Sequence, residues 1–224
     1  MSNKKDKPKR KINKMHLAST TVWGLIGLAL VCLCVGLVLL FTMLNDKPEL
    51  NVDDFVAEQS TQIFDKNGEL IAEVGSVKRQ NVSYDDLPNV LVDAFVSVED
   101  SRYFTHPGFD ISRFSKAMLE NLKSFSFAQG GSTFTMQLVK NTYFVDDEAG
   151  IGASKSIERK VQEIALALEL EQEINKKTIF ELYLNKLNFG GSGNIRGVQK
   201  AAQYYFGKDV QDLNLPESAM FRCY

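Results

Sequence analysis

Residues 156–175 read SIERKVQEIALALELEQEIN, and the class of the fold follows from them. Ile157, Val161, Ile164 and Leu168 recur every three or four positions, with Lys and Glu on most of the others, the pattern of an amphipathic helix. The same period continues on both sides. Ahead of this stretch, Val90, Leu91, Ala94, Phe95 and Val98 share one helical face, and 111–122 and 132–141 also read as helices. Behind it, 176–187 and 195–206 do the same. The one β signal lies in Thr61–Val74, TQIFDKNGELIAEV, where apolar residues flank Asn67-Gly68 and predict a two-stranded hairpin. The expected folded part is therefore mainly α with a small β element at its start.

The N-terminal part has a different solvent. From Leu17 to Asn45 there is no charged residue, and the 23 residues Val22–Leu44 are apolar apart from Thr42 and three glycines. A bilayer span needs roughly 20 residues and must be helical, because lipid offers no hydrogen bonds to the backbone. A cleaved signal would have a shorter apolar core, roughly 7–15 residues, followed by a small-x-small site that is missing after Leu44. An uncleaved transmembrane helix is expected. Seven basic residues precede it (Lys4, Lys5, Lys7, Lys9, Arg10, Lys11, Lys14) and only Lys47 lies close after it. The positive-inside rule then puts the tail in the cytoplasm and residues 46–224 outside.

That basic tail hides the charge of the rest. The net charge is −2, but residues 17–224 carry 19 basic and 27 acidic groups. An acidic folded part disfavours nucleic-acid binding. Cys32 and Cys34 lie in the apolar run and Cys223 is next to the last residue, so no cysteine pair frames a disulfide loop or a metal-ligand spacing.

Three segments carry chemistry-bearing residues. In the first, Glu99 and Asp100 end an apolar helix and are followed by aromatics, His106 and Gly108, and a carboxylate so placed suits proton transfer. In the second, Gly130-Gly131 precede Ser132 and Thr133 at a helix start, where free N–H groups bind anions, with Gln137, Lys140 and Asn141 further along. In the third, Lys155 precedes Arg159, Lys160 and Glu163, and Arg159 and Glu163 share a helix face at i, i+4. Taken singly, each is equally the signature of a helix end, an N-cap or a solvated ion pair.

Taken in order, they resemble the family 51 peptidoglycan glycosyltransferases of class A penicillin-binding proteins and monofunctional transglycosylases. The family's Glu-Asp-x-x-Phe-x-x-His-x-Gly is echoed by Glu99, Asp100, His106 and Gly108, with Tyr103 in the Phe position. Its Gly-x-Ser-Thr-x-Thr-Gln-Gln-Leu-x-Lys-Asn is echoed by Gly130, Ser132, Thr133, Thr135, Gln137, Leu138, Lys140 and Asn141, with Met136 replacing the first glutamine. Arg159, Lys160 and Glu163 match Arg-Lys-x-x-Glu, and Lys176, Ile179, Glu181, Tyr183, Leu184 and Asn185 match a fourth motif in which Phe180 stands for Leu. Gly197-Val198, Ala201-Ala202 and Tyr205-Phe206-Gly207-Lys208 match a fifth.

The resemblance implies a lysozyme-like glycosyltransferase domain that polymerises lipid II onto a growing glycan strand, with inversion at the anomeric carbon and release of polyprenyl pyrophosphate. By similarity Glu99 is the general base. Glu163 assists the leaving group, through a divalent cation (Mg or Mn) or by ordering nearby cations. Lys140, Lys155 and Arg159 face the pyrophosphate, with Ser132, Thr133, Gln137 and Asn141 lining the same site. Asp100, Lys160 and His106 are secondary, His106 being read as a structural hydrogen-bonding residue. Membrane lipid and other cell-wall synthesis and division proteins are the partners implied. The expected layout is a cytoplasmic tail over 1–16, a transmembrane helix over 17–45, a connector over 46–60, a glycosyltransferase domain over 61–219 and a divergent terminus over 220–224. The family continues beyond Leu215–Ala219 and transpeptidase motifs are missing, so a shortened class A protein is expected. Two other functions stay open at this level: a lysozyme-like glycan hydrolase and a non-catalytic cell-wall scaffold. Phe109, Phe114, Phe125 and Phe127 are candidates either for dipping into the membrane interface or for the core.

Overall fold

A computed structural model describes residues 14–74, 79–124, 130–144, 157–190 and 195–222. The chain divides into two compact units, residues 1–46 and 47–224. The first holds one helix, α1 (Lys14–Asn45), whose stretch Val22–Asn45 has a mean hydropathy of 2.9 with none of it buried in protein. By length and composition this helix can cross a membrane.

The second unit begins with what the sequence marks as a connector, and here the structure differs. Val52–Phe55 forms a 3₁₀ turn, Phe55 is fully buried, and its ring meets Tyr143 edge-on at 5.5 Å. One aromatic residue in an acidic, polar stretch carries no periodic signal, so only the tertiary partner shows that the segment belongs to the domain. The hairpin follows, β1 (Thr61–Phe64) antiparallel to β2 (Leu70–Val74). Its turn is longer than a two-residue Asn-Gly turn. The Asp65 carboxylate accepts the N–H groups of Asn67 and Glu69, and Gly68 takes the left-handed φ of +87° that this loop requires.

Helices α2 (Asn89–Glu99), α3 (Ile111–Ser124), α4 (Phe134–Tyr143), α5 (Ile157–Glu173) and α6 (Lys176–Lys186) follow. α4 packs against both α5 and α6, and α2 packs against the last helix, α8 (Leu215–Arg222). Residues Ile195-Arg196, read as the start of a helix, instead form strand β4 paired with β3 (Asn188–Gly190). Gly197, at φ +80°, then turns the chain into α7 (Val198–Phe206). α8 continues three residues past the expected domain end, and Phe221 is buried against Phe189 and Phe206. A reciprocal capping box starts it: the Asn214 side chain accepts the Glu217 N–H and the Glu217 carboxylate accepts the Asn214 N–H.

The core between α2, α4 and α6 is aromatic. Phe134 and Phe180 meet edge-on at 5.2 Å, and Phe134 also meets Tyr103 at 5.2 Å and Tyr183 at 4.8 Å. Each such pair adds about 0.5–1.5 kcal/mol beyond the burial of its area. The Tyr103 hydroxyl is accommodated by donating to the Lys176 carbonyl at 2.7 Å, which removes the cost of an unpaired buried O–H.

Two apolar faces differ from the periodic reading. On α5 the buried residues are Gln162, Glu163, Leu166, Ala167 and Leu170, while Ile157 is 78% exposed. The helix is rotated from its apolar stripe so that Glu163 turns inward. On α3, Phe114 stacks on Phe109, which packs against the core. Ile111, Met118 and Leu122 align on one face with Leu119 beside them, and all four are more than half exposed. Phe125 and Phe127 lie outside the described residues.

Gly108→Ala should destabilise the domain by roughly 3 kcal/mol or more, because the added Cβ would lie 2.6 Å from the Ala167 carbonyl oxygen at a φ of +88°. Gly207→Ala, at φ +67° but in open space, should cost about 1–2 kcal/mol. Denaturant unfolding of both variants reads the difference. Lys186, whose ammonium bonds the Asp54 carbonyl and Thr142 hydroxyl, is pushed down to about 8 by burial and by Arg79. In the unfolded chain it stays protonated to the ordinary lysine range, so the unfolded state binds the extra proton above pH 8 and stability rises with pH in that window. The melting temperature of the parent relative to Lys186→Met should therefore rise between pH 8 and about 10.

Candidate active site

The end of α2, the first turn of α3, the length of α4 and the first turns of α5 meet around a cavity of about 270 Å³ lined by Glu99, Arg113, Gly130, Ser132, Met136, Gln137, Lys140, Asn141 and Glu163. Six of these were singled out in the sequence as site residues: Glu99, Ser132, Gln137, Lys140, Asn141 and Glu163. Five of them lie on α2, α4 and α5 and Ser132 lies just before α4, brought together from a stretch of chain that runs from Glu99 to Glu163.

Glu99 is the last residue of α2 and is partly exposed to the cavity. The Gln137 amide Nε2 lies 3.4 Å from its Oε2. Its neighbour Asp100 turns the other way and is fully buried. The Asp100 carboxylate lies 3.0 and 3.1 Å from His106 Nε2 and accepts the Phe134 backbone N–H at 3.2 Å. His106 is thus a structural partner that ties the loop after α2 to the start of α4 through Asp100.

Glu163 is 1% exposed and lies between two cations. Lys160 Nζ is 2.8 Å from Oε2, and Arg159 Nε is 3.1 Å from Oε1, an ion contact whose N–H is not aligned on the oxygen. Lys160 also donates to the Ser132 hydroxyl at 2.8 Å. The i, i+4 pair seen in the sequence is therefore neither solvated nor isolated: its Glu163 lines the cavity, one carboxylate between two basic side chains. One buried carboxylate against two basic side chains leaves this wall with more basic than acidic groups. Glu163 Oε2 accepts a hydrogen bond from Lys160 while Oε1 has only the ion contact, and no group of three or more His, Cys, Asp or Glu side chains is clustered among the described residues.

Two expected substrate contacts are placed elsewhere. Thr133 is fully buried: its hydroxyl donates to the Gly108 carbonyl at 2.6 Å and accepts the Met136 N–H, capping α4. A fully buried threonine whose O–H goes to a carbonyl and whose oxygen caps the helix turns no polar group toward the cavity. Arg159 reaches the cavity only through Glu163. Lys155 lies outside the described residues. Met136, the departure from the second motif, is fully buried at the cavity floor.

Arg113 was not read from the sequence. One guanidinium nitrogen donates to the Glu99 backbone carbonyl and lies 3.7 Å from the Asp100 carboxylate, which places a cation at the C-terminal end of α2. The available signal was Asp110, whose carboxylate accepts the Arg113 N–H and so caps α3. Burial alone would raise the Asp110 carboxyl, but the Arg113 backbone N–H and the Arg102 guanidinium together hold it below the usual range. The cap predicts where α3 starts, though not that its third residue reaches the cavity.

Asp100→Ala should lower stability by roughly 3 kcal/mol, because His106 and the Phe134 N–H both lose a buried partner. Asp100→Asn, which can still accept one of these bonds, should lose less. Thermal or denaturant unfolding of the two variants checks the order.

The sequence model of the Transglycosylase family matches residues 67–223. Penicillin-binding protein 1A of Streptococcus oralis is 41% identical over 195 residues, 87% of this chain and 29% of the relative. Penicillin-binding protein 1A/1B of Bacillus subtilis is 36% identical over 219 residues, 97% of this chain and 23% of the relative. Penicillin-binding protein 1A of Vibrio cholerae is 37% identical over 201 residues, 88% and 23% of the two chains. The chain thus spans about a quarter of the length of these curated relatives.

Proposed function

The chain belongs to the transglycosylase family, and on that premise we propose that it is a peptidoglycan glycosyltransferase that polymerises lipid II at the outer face of the cytoplasmic membrane. The observation that carries the proposal is the cavity itself. It is lined by one carboxylate, Glu99, that is partly exposed, and a second, Glu163, that is buried against two cations.

The chemistry follows from that asymmetry. The 4-hydroxyl of the incoming lipid II attacks the anomeric carbon of the strand held on polyprenyl pyrophosphate. Glu99 takes the hydroxyl proton as the new C–O bond forms, and the old bond to the pyrophosphate breaks on the opposite side with inversion. The departing group gains negative charge, so cations fixed before the reaction lower the barrier. Lys140 and Lys160 supply them, and Glu163 acts by holding Lys160 and Arg159 in place. The hydrolase reading needs a second carboxylate free to act as acid or base on water, and Glu163 is held in ion pairs instead.

A polyprenyl substrate stays in the bilayer, and tethering by α1 raises the enzyme's effective concentration at that surface. The basic residues before α1 place its N-terminus in the cytoplasm by the positive-inside rule. The exposed apolar face of α3 suits contact with a headgroup boundary, and the same helix carries Arg113 into the cavity.

Polymerisation of lipid II by the detergent-solubilised chain tests the proposal. The parent should make glycan strands, and Glu99→Gln should make them roughly 10²–10⁴-fold more slowly with its helical circular dichroism unchanged. A folded parent that makes no strands, or an active Glu99→Gln, would sink it. Reducing ends appearing without chain growth would point to the hydrolase.

A further inference from the structure

A line of polar contacts runs from the aromatic core to Glu99. The Tyr183 hydroxyl on α6 donates to Gln137 Oε1 at 3.1 Å, and Gln137 Nε2 on α4 lies 3.4 Å from Glu99 Oε2 on α2. Tyr183 is 3% exposed, and its ring is fixed by Phe134 at 4.8 Å and by Phe95 and Phe180 at 6.4 Å. Gln137 was read from the sequence as a substrate contact. The structure gives both ends of its amide to protein groups.

A primary amide has two orientations related by a half-turn, and they are not equivalent here. With Oε1 toward Tyr183, the NH₂ faces the carboxylate and donates to it. In the reversed orientation, a carbonyl oxygen would face a carboxylate oxygen, acceptor against acceptor. We propose that Tyr183 is a positioning residue for the reaction: its hydroxyl holds the Gln137 amide with the NH₂ toward Glu99, so that the Glu99 carboxylate keeps the rotamer in which its other oxygen meets the acceptor hydroxyl.

The geometry explains why a core aromatic should be tyrosine at this position. Phe95, Phe134 and Phe180 fill the same cluster without a hydroxyl, so packing alone does not call for one. The hydroxyl is the only group the ring adds toward the cavity, and a rigid ring transmits position better than a mobile side chain would. The other charged residues lining the cavity, Arg113, Lys140 and Glu163, come from α3, α4 and α5. The contact to the Glu99 side chain from the α6 side runs through Gln137.

This inference rests on Glu99 as the base, and two readouts separate its failure from a failure of that reading. The first needs no activity. In the folded chain labelled with ¹⁵N-glutamine, the Gln137 side-chain amide resonances should shift on Glu99→Gln, and that shift should shrink in the Tyr183→Phe background. An amide indifferent to Glu99→Gln in the parent overturns the inference, whether or not the chain polymerises lipid II. The second uses polymerisation. Tyr183→Phe, which keeps the ring, should lower kcat about tenfold with KM within about twofold. Adding Tyr183→Phe to Gln137→Met should cost nothing further, because the hydroxyl acts through the amide. Losses that multiply in the double variant, or a Tyr183→Phe enzyme with full kcat, also overturn it. A parent that makes no strands refutes the proposed function and leaves the resonance test to decide this inference.

Discussion

The buried carboxylate of Asp100 is the point on which the site depends. It sits at the end of α2, receives His106 from the following loop and the Phe134 N–H from the start of α4, and has the Arg113 guanidinium of α3 at 3.7 Å. A carboxylate with no exposure survives only if such partners replace its water. Satisfying it therefore brings three helix termini to one place. Because Glu99 precedes Asp100 and the chain leaves the helix there, one side chain is locked inward while the other is turned to the cavity.

A second carboxylate is used differently. Glu163 is as buried as Asp100, but its partners are Lys160 and Arg159 on its own helix, and Lys160 continues to the Ser132 hydroxyl. The Lys160–Ser132 contact ties this polar face of α5 to the cavity, and Glu163 and Gln162 lie inward and Ile157 outward. One carboxylate against two basic side chains leaves this wall with more basic than acidic groups, and this suits a reaction whose product is an anionic pyrophosphate. The aromatic core behind α4 then acts as a rigid base for both walls, and through Tyr183 it reaches the polar groups of the cavity.

Much of this was legible in order and little of it in orientation. The helices over 89–99, 111–124, 134–143, 157–173 and 176–186 follow from apolar period and breakers, and so does the hairpin over 61–74. Glu99, Lys140 and Glu163 were legible because their motifs recur in a fixed order. Thr133 was misplaced because an N-cap threonine and a ligand-binding threonine look alike until the partner of the hydroxyl is seen. Phe55 and Phe221 escaped notice because each is a lone aromatic in a polar or terminal stretch, and its partner lies far away in the chain.

By itself, the sequence determined a helical domain after an apolar span, the family to which it belongs and the carboxylates and cations available to it. Periodicity is local, and a motif is a list of groups, so both survive without knowledge of distance. The tertiary structure decided which carboxylate is open and which is locked, that α5 turns its acid rather than its isoleucine inward, and that Arg113 and Tyr183 reach the site at all. These outcomes depend on which partner desolvates which charge across helices distant in the chain, and no spacing along one segment encodes that.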